Sequence, residues 1–348
     1  MLSLLEQLTA PAPAASADAL ACQLCAHRCV LRPGKVGICG AIVHIGNRLH
    51  SQAAGRPIAL HVDPVERKPL YHVLCGARVL SLGTLGCNMT CDFCQNWRIS
   101  QTRPTDIPSN EIVAPHEVVA AARAQGCEGL AFTYNEPTIY LDYAAAIMRL
   151  AKQAGLLTAF KTNGYLTPEA IDALANEGLL DAANVDLKGF DDSYYRRVCG
   201  ARLQPVCDAI GHLHRRGVWV EVTTLLIPGV NDSNTELAAL AGFLASVSRD
   251  IPWHVWRFHP DYHMVNVSWT HLDDIARAVE IGYTAGLRYV YTSNLPGDPR
   301  QHTRCPSCGA VLIQRMGNAT TAVQLRKGAC GECGWVLPGI FNGHKVII

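Results

Sequence analysis

Cys87-x3-Cys91-x2-Cys94, with Phe93 just before the last thiol, places three cysteines within eight positions. Three thiols can do something that four cannot. A structural zinc takes four ligands, and a ferredoxin-type cluster caps each iron with a thiolate. If the three hold a cubane of four irons and four sulfides, one iron lacks a protein thiolate. That iron is open to chelation by an amino group and a carboxylate on a substrate or cofactor. A zinc ion completed by a remote fourth ligand is the alternative, and the polar segments converging on the same rim argue against it.

Two further cysteine groups offer four thiols each. Cys305-x2-Cys308 and Cys330-x2-Cys333, separated by twenty-one residues, each carry a following glycine (Gly309, Gly334) and match a zinc-ribbon pattern. A structural zinc is the expectation; disulfides or a second cluster fit a reducing compartment and paired knuckles less well. Cys22-x2-Cys25-x3-Cys29-x9-Cys39, with His27 between, suits zinc or an auxiliary cluster, and spacing does not separate them. A structural metal is favoured at this second N-terminal site. Arg28, Arg32 and Lys35 read as a solvated basic loop around it. Of the fifteen cysteines, the remaining Cys75, Cys127, Cys199 and Cys207 read as small buried apolar residues.

The elements that must position the triad repeat a strand-then-helix pattern. VLSLGTLG, GLAFTYN, LLTAFKTNG, NVDLKG, VWVEVTTLLIP and WHVWRFHP read as strands covered on both faces. PHEVVAAARAQG, TIYLDYAAAIMRLAKQAG, TPEAIDALANEG, PVCDAIGHLHRRG and NTELAALAGFLASVSRD read as the helices between and after them. The alternation predicts a parallel sheet with right-handed crossovers, either doubly wound or wholly or partly a barrel. In such folds chemistry gathers where strands end. The six strands run into Cys87, Asn135-Glu136-Pro137, Lys161-Thr162-Asn163, Asp186-Leu187-Lys188, Pro228-Gly229 and Arg257-Phe258-His259. His259, with Arg257, Asp261 and Tyr262, is a candidate for the substrate side. A strand-ending histidine with no chemical role is the plainer reading of it.

Composition sets the class. A 348-residue chain that is 49% hydrophobic with net charge +1 suits a globular enzyme with one large core. No apolar run approaches the ~20 residues of a membrane span, and the first residues lack a secretion-signal pattern. A cytoplasmic location is expected. Without a basic excess, neither nucleic acid nor a membrane is an expected partner.

The Cys-x3-Cys-x2-Cys spacing is that of the radical S-adenosylmethionine (SAM) superfamily. Residues 79 to 297 resemble the core of the pyruvate formate-lyase activating enzyme type, and nearly the whole chain resembles the radical enzyme family of the AmmeMemoRadiSam system. DPVERKPLYHVL, LSLGTLGCNMTCDFCQNWRIS, FTYNEPT, FKTNGY, NVDLKGF and YVYTSNLPG carry the second resemblance. It implies a partial (β/α)6 barrel over residues 76–300, between an N-terminal Cys-rich segment (1–75) and a C-terminal zinc-ribbon-like domain (301–348). It implies a [4Fe-4S] cluster on Cys87, Cys91 and Cys94, SAM as cofactor, and an electron donor such as flavodoxin or ferredoxin. SAM would be cleaved reductively to a 5′-deoxyadenosyl radical that takes hydrogen from an unidentified substrate, protein or small molecule. A glycyl-radical-enzyme activase is the narrower alternative, and a non-catalytic metal-binding scaffold is the alternative from another class.

Residue by residue, Asn135-Glu136-Pro137 stands where the superfamily carries a Gly-Gly-Glu-Pro-like segment that meets the cofactor amino group. Glu136 matches an ammonium in charge. Thr162 and Asn163 belong to the same rim, Lys188 aligns with a lysine reaching the cofactor carboxylate, and Pro228-Gly229 with a segment near the adenosine. One position departs from the activating enzymes: they have an aspartate before Thr-Asn-Gly that helps hold a monovalent cation, and this chain has Lys161. The expectation is that the Lys161 ammonium supplies that charge beside Asp186. A lysine pointing to solvent is the alternative.

Overall fold

Eight strands form one sheet whose spatial order follows chain order. The computed structural model describes residues 3–106, 111–341 and 344–346. β1 (Ala59–Pro64) lies antiparallel to β2 (Arg78–Gly83). β3 (Gly129–Phe132), β4 (Leu157–Thr162), β5 (Ala182–Asp186), β6 (Trp219–Leu226), β7 (Trp253–Arg257) and β8 (Val290–Ser293) then follow in parallel. Winding in one direction rules out the doubly wound order, which reverses at a switch point. Among the described residues β1 and β8 pair with no further strand, so the barrel is partial.

All six expected strands are present, and so are the five helices, α1 (Pro115–Ala124), α2 (Leu141–Gln153), α3 (Pro168–Asn176), α4 (Leu203–Arg215) and α5 (Asn234–Val247). Their starts follow local chemistry: the Thr167 and Ser233 hydroxyls accept from backbone N–H groups of Ala170 and Glu236. The sheet is wider than the expected six strands. α6 (Leu272–Thr284) leads into β8, a four-residue strand, and the polar, partly exposed β1 borders the other edge. Among the described residues no helix is long and apolar enough to cross a membrane.

The barrel lumen is filled from outside the repeat. Residues 65–76, which follow β1, thread into it, and Asn184 of β5 donates to the Pro69 carbonyl at 2.7 Å. Glu221 of β6, wholly buried, accepts from the backbone N–H of Tyr71 (2.9 Å) and His72 (2.8 Å), from Trp219 Nε1 (3.1 Å) and from His254 Nε2 (2.6 Å). Arg315, from the C-terminal hairpin of antiparallel strands Val311–Met316 and Ala319–Val323, lies 4.1 Å from the Tyr71 ring centre and donates to the Tyr71 and Gln301 carbonyls and the Thr303 hydroxyl. The hairpin therefore packs both on β8, where Arg315 lies 5.8 Å from the Tyr291 ring centre, and on the segment after β1, where Thr320 donates to Glu66.

A buried carboxylate with four donors is stabilising only while its partners remain. Removing it leaves four N–H groups buried and unpaired. Glu221→Ala is expected to lower unfolding free energy by about 3–5 kcal/mol, read by urea denaturation as a lower midpoint at constant slope. Burial alone would raise the Glu221 carboxyl, but the His254 hydrogen bond and its neighbours hold it below its ordinary range. Its contribution is thus present above the unfolded carboxylate range and fades as pH falls through the lower folded value.

Candidate active site

The loop that leaves β2 carries the triad, and it is fixed on two sides. Thr90 and Asp92 donate backbone N–H bonds to the carbonyls of Cys199 and Val198, both at 3.0 Å. Asn163, after β4, donates from Nδ2 to Asn88 Oδ1 at 2.7 Å and toward Cys87 Sγ at 3.7 Å. Cys94 Sγ lies 3.1 Å from Ser100 Oγ, and Phe93 is buried with the Lys188 ammonium 5.6 Å from its ring centre. Burial pushes the Cys87 and Cys94 thiols up, so loading this site with metal must release protons.

Cys87, Cys91 and Cys94 line one cavity of about 420 Å³ at the carboxyl ends of the strands. Asn135 and Glu136 enter it after β3, Lys161, Thr162 and Asn163 from the end of β4, and Asp186 and Lys188 from the end of β5. Sequence spacing had brought these ten residues to one rim, and the structure brings them together. Three thiols with an ammonium pair, a carboxylate and open polar volume beside them form a fitting donor set for a cluster with one open iron and an amino-acid-bearing ligand.

Asp186 is shared between two cations. Lys161 Nζ is ion-paired with one oxygen, and Lys188 Nζ stands 3.2 Å from the other; Lys161 also donates to Asn184 Oδ1 at 2.7 Å. Burial would raise the Asp186 carboxyl, but both ammoniums together hold it below the usual carboxylate range. For Lys161 the balance goes the other way: burial lowers its ammonium, and Asp186 offsets only part. Burial also pulls on Lys188, but Asp186 outweighs it and holds that ammonium up. The Lys161 side chain is 16% exposed, so the solvent-pointing alternative does not hold.

Glu136 is already engaged by the protein. Its oxygens accept from the Thr138 N–H (3.1 Å), the Thr162 hydroxyl (2.8 Å) and the Asn163 N–H (2.8 Å), tying the ends of β3 and β4 together. Burial raises its carboxyl despite these bonds.

Pro137, Pro228, Gly229 and His259 are not among the described residues lining the cavity. His259 leans on Trp269, ring centres 5.5 Å apart, and Arg257 donates to the Thr270 carbonyl. Tyr262 instead stacks on Trp97 of the triad loop at 5.2 Å. The cavity also holds residues that strand-end reasoning missed. Lys68 enters from the lumen segment, bound to Asp63 at 2.7 Å, Trp256 from β7, Asn294 after β8, and Asn318 from the C-terminal hairpin. Lys68 had a signal in its place in DPVERKPLYHVL and Asn294 in YVYTSNLPG; Trp256 lay inside an expected strand, and Asn318 had none.

The other thiol groups also converge. Cys305 and Cys333 lie 3.5 Å apart, Cys308 and Cys330 3.7 Å, and all four sulfurs fall within 4.8 Å of one another. Gly309 and Gly334, at φ 77° and 78°, make the left-handed turns that each knuckle needs. Cys22, Cys25, Cys29 and Cys39 line a separate small cavity.

Residues 82–241 match the model of the Radical SAM superfamily. An uncharacterized protein of Methanocaldococcus jannaschii is 38% identical over 295 residues, covering 84% of this chain and 87% of that one. The pyruvate formate-lyase-activating enzyme of Streptococcus mutans is 23% identical over 182 residues, or 50% of this chain and 68% of that enzyme. A putative glycyl-radical enzyme activating enzyme of Methanocaldococcus jannaschii is 28% identical over 152 residues, or 42% of this chain and 60% of that one. Among solved structures, a radical SAM methyltransferase from Sphaerobacter thermophilus is similar at TM-score 0.49 and 18% identity, over 63% of this chain and 67% of that one. With a three-thiol loop at the mouth of a partial barrel, a superfamily match that spans that loop, and relatives that are activating enzymes, this chain belongs to the radical SAM superfamily.

Proposed function

We propose that the chain cleaves SAM reductively and uses the resulting radical to take a hydrogen atom from a substrate. The observation that carries the reading is the shared cavity: three thiols on one wall, and on the facing strands a carboxylate flanked by two ammoniums. Cys87, Cys91 and Cys94 would hold the four-iron cluster. When bound, the cluster supplies the electron that splits the sulfonium of SAM into methionine and a 5′-deoxyadenosyl radical. The chain's own work is to bind and orient. Lys188 offers a charge to the cofactor carboxylate, and Asn135 and Glu136, at the rim after β3, offer acceptors to its amino group, Glu136 matching it in charge. Trp256 and Phe93 supply apolar wall that keeps water from the reacting atoms.

For the substrate, the relatives favour a protein. Several are activating enzymes of glycyl-radical enzymes or of lyases, which supports a backbone hydrogen as the target. Asn318, from the C-terminal hairpin, reaches the same cavity and fits a role for that hairpin in substrate contact. The ribbon thiols suit zinc, since a Zn–S bond of ~2.3 Å draws four tetrahedral sulfurs to about 3.8 Å of one another. The test is anaerobic reconstitution with iron and sulfide, reduction with dithionite, addition of SAM, and assay for 5′-deoxyadenosine. Formation of the nucleoside is expected; its absence from protein with a full cluster would leave the scaffold reading instead.

A further inference from the structure

The four N-terminal thiols surround a space of a different size from that at the ribbon. Among the described residues, only the ribbon cysteines draw their sulfurs within 4.8 Å of one another, as a single ion requires. Cys22, Cys25, Cys29 and Cys39 instead line an apolar cavity of about 10 Å³, room for one water-sized sphere. Gly37 belongs to the same wall: a β-carbon there would sit 3.7 Å from Cys29 Sγ and 3.8 Å from Cys39 Sγ. Leu24, Leu31, Ile42 and Ile139 supply most of the remaining wall; of its two polar members besides the thiols, Thr138 and His27, the His27 Nε2 is engaged by the Asn88 carbonyl at 2.6 Å. A cubane, whose sulfide core stands between its thiolates, is the metal group that suits four thiols set apart around an apolar space.

The position of the tetrad is as informative as its size. Cys29 and Cys39 are partly exposed, and Cys22 and Cys25 are buried. On the buried side the tetrad abuts the triad loop. His27 Nε2 lies 2.6 Å from the Asn88 carbonyl, one residue from Cys87. On the other flank of Cys87, Gly86 has φ 93°, and a β-carbon there would meet the Cys39 carbonyl at 2.9 Å. A side chain at 86 would push the two thiol groups apart. Cys25 is also bridged to Leu166, and Ala26 donates to the Tyr165 carbonyl at 2.9 Å, three and two residues beyond Asn163.

We infer that Cys22, Cys25, Cys29 and Cys39 hold a second four-iron cluster, which carries electrons from the protein surface to the cluster on Cys87, Cys91 and Cys94. With every iron capped it has no open position for a substrate, so electron transfer is the chemistry left to it. It accepts one electron from a low-potential protein reductant of the flavodoxin or ferredoxin class. It returns to its oxidised state by passing that electron to the triad's cluster. The metal assignment stands by itself; the electron path rests on the function proposed above.

Metal analysis of the anaerobically reconstituted full chain separates the two. The expected content is about eight irons, eight sulfides and one zinc per chain, against about four irons and two zincs if the tetrad binds zinc. The C87A/C91A/C94A variant should keep about half of the iron and give, on reduction, an electron-resonance signal that SAM does not perturb. Zinc in place of that iron, or no iron in a variant whose circular dichroism matches wild type, overturns the assignment. In the C22A/C25A variant, SAM should still perturb the remaining signal, while reduction by flavodoxin slows about tenfold or more relative to photoreduction by a small-molecule donor. Equal slowing with both donors, or with neither, overturns the electron path. A wild type with about eight irons and no response to SAM would sink the proposed function and leave the tetrad assignment intact.

Discussion

Replacing Cys87, Cys91 or Cys94 singly by alanine should lower 5′-deoxyadenosine formation by about 10,000-fold or more, to the background of the assay. A cubane with three thiolates already has the minimum grip that leaves one iron open. Losing one more exposes a second iron to solvent and removes the geometry that places the sulfonium against a single site. The three thiols cannot substitute for one another, because each is fixed by its own contact: Cys87 by Asn163 and the Met89 N–H, Cys91 beside Cys199, Cys94 against Ser100. Cys207→Ala is the matched control. Cys207 lies buried in α4, away from the cavity, and its replacement removes one small apolar contact at a cost of about 1 kcal/mol. Product formation per folded chain should be unchanged there. Any triad variant that retains more than a few per cent of turnover with a normal iron content would rule out the assignment of these thiols.

The barrel and most of this rim were legible because both follow from local pattern. Continuous apolar runs mark strands covered on both faces, and a strand's last polar residues must stand at its carboxyl end whatever the rest of the chain does. Asn135, Lys161 and Asp186 were therefore readable without any tertiary contact. What stayed hidden enters from outside the repeat. Tyr71 and His72 reach Glu221 across about 150 positions, and Asn318 sits in a hairpin turn whose local sequence only says turn. Strand β8 is four residues long and β1 is polar on an edge, too short or too mixed for period alone. His259 shows where pattern stops: a strand-end position makes a histidine a candidate, but only the fold shows that its ring lies 5.5 Å from that of Trp269. Spacing alone also could not tell a zinc tetrad from a cluster tetrad, because the difference lies in how far apart the folded chain holds the sulfurs.

Lys161→Ala should lower 5′-deoxyadenosine formation by about 100-fold, and sodium or potassium should restore part of it. We propose that the Lys161 ammonium does the work of a bound monovalent cation. Its removal strips one donor from Asp186 and one from Asn184, whose oxygen also accepts from Thr223 at 2.8 Å, and leaves Lys188 as the single counter-charge to Asp186. Lys188 would then be drawn fully to Asp186 and lost to the cofactor carboxylate, so the Michaelis constant for SAM should rise along with the fall in turnover. Wild type should show no specific stimulation by either cation, and Lys161→Asp should depend on one for activity. The pH profile supplies a second check. Burial lowers the Lys161 ammonium below the usual lysine value of 10.5, with Asp186 and Glu136 opposing and Lys188 adding to the fall. Raising pH through that lowered value discharges Lys161 first, because Lys188 is held above its ordinary range by Asp186 and the neighbouring thiols. Activity should therefore decline on the alkaline side before an unperturbed lysine would titrate. Lys161→Arg, whose guanidinium keeps its proton throughout, should move that decline to higher pH. A wild type that needs added potassium or sodium, or an arginine variant with an unmoved alkaline limb, would show that the charge beside Asp186 comes from elsewhere.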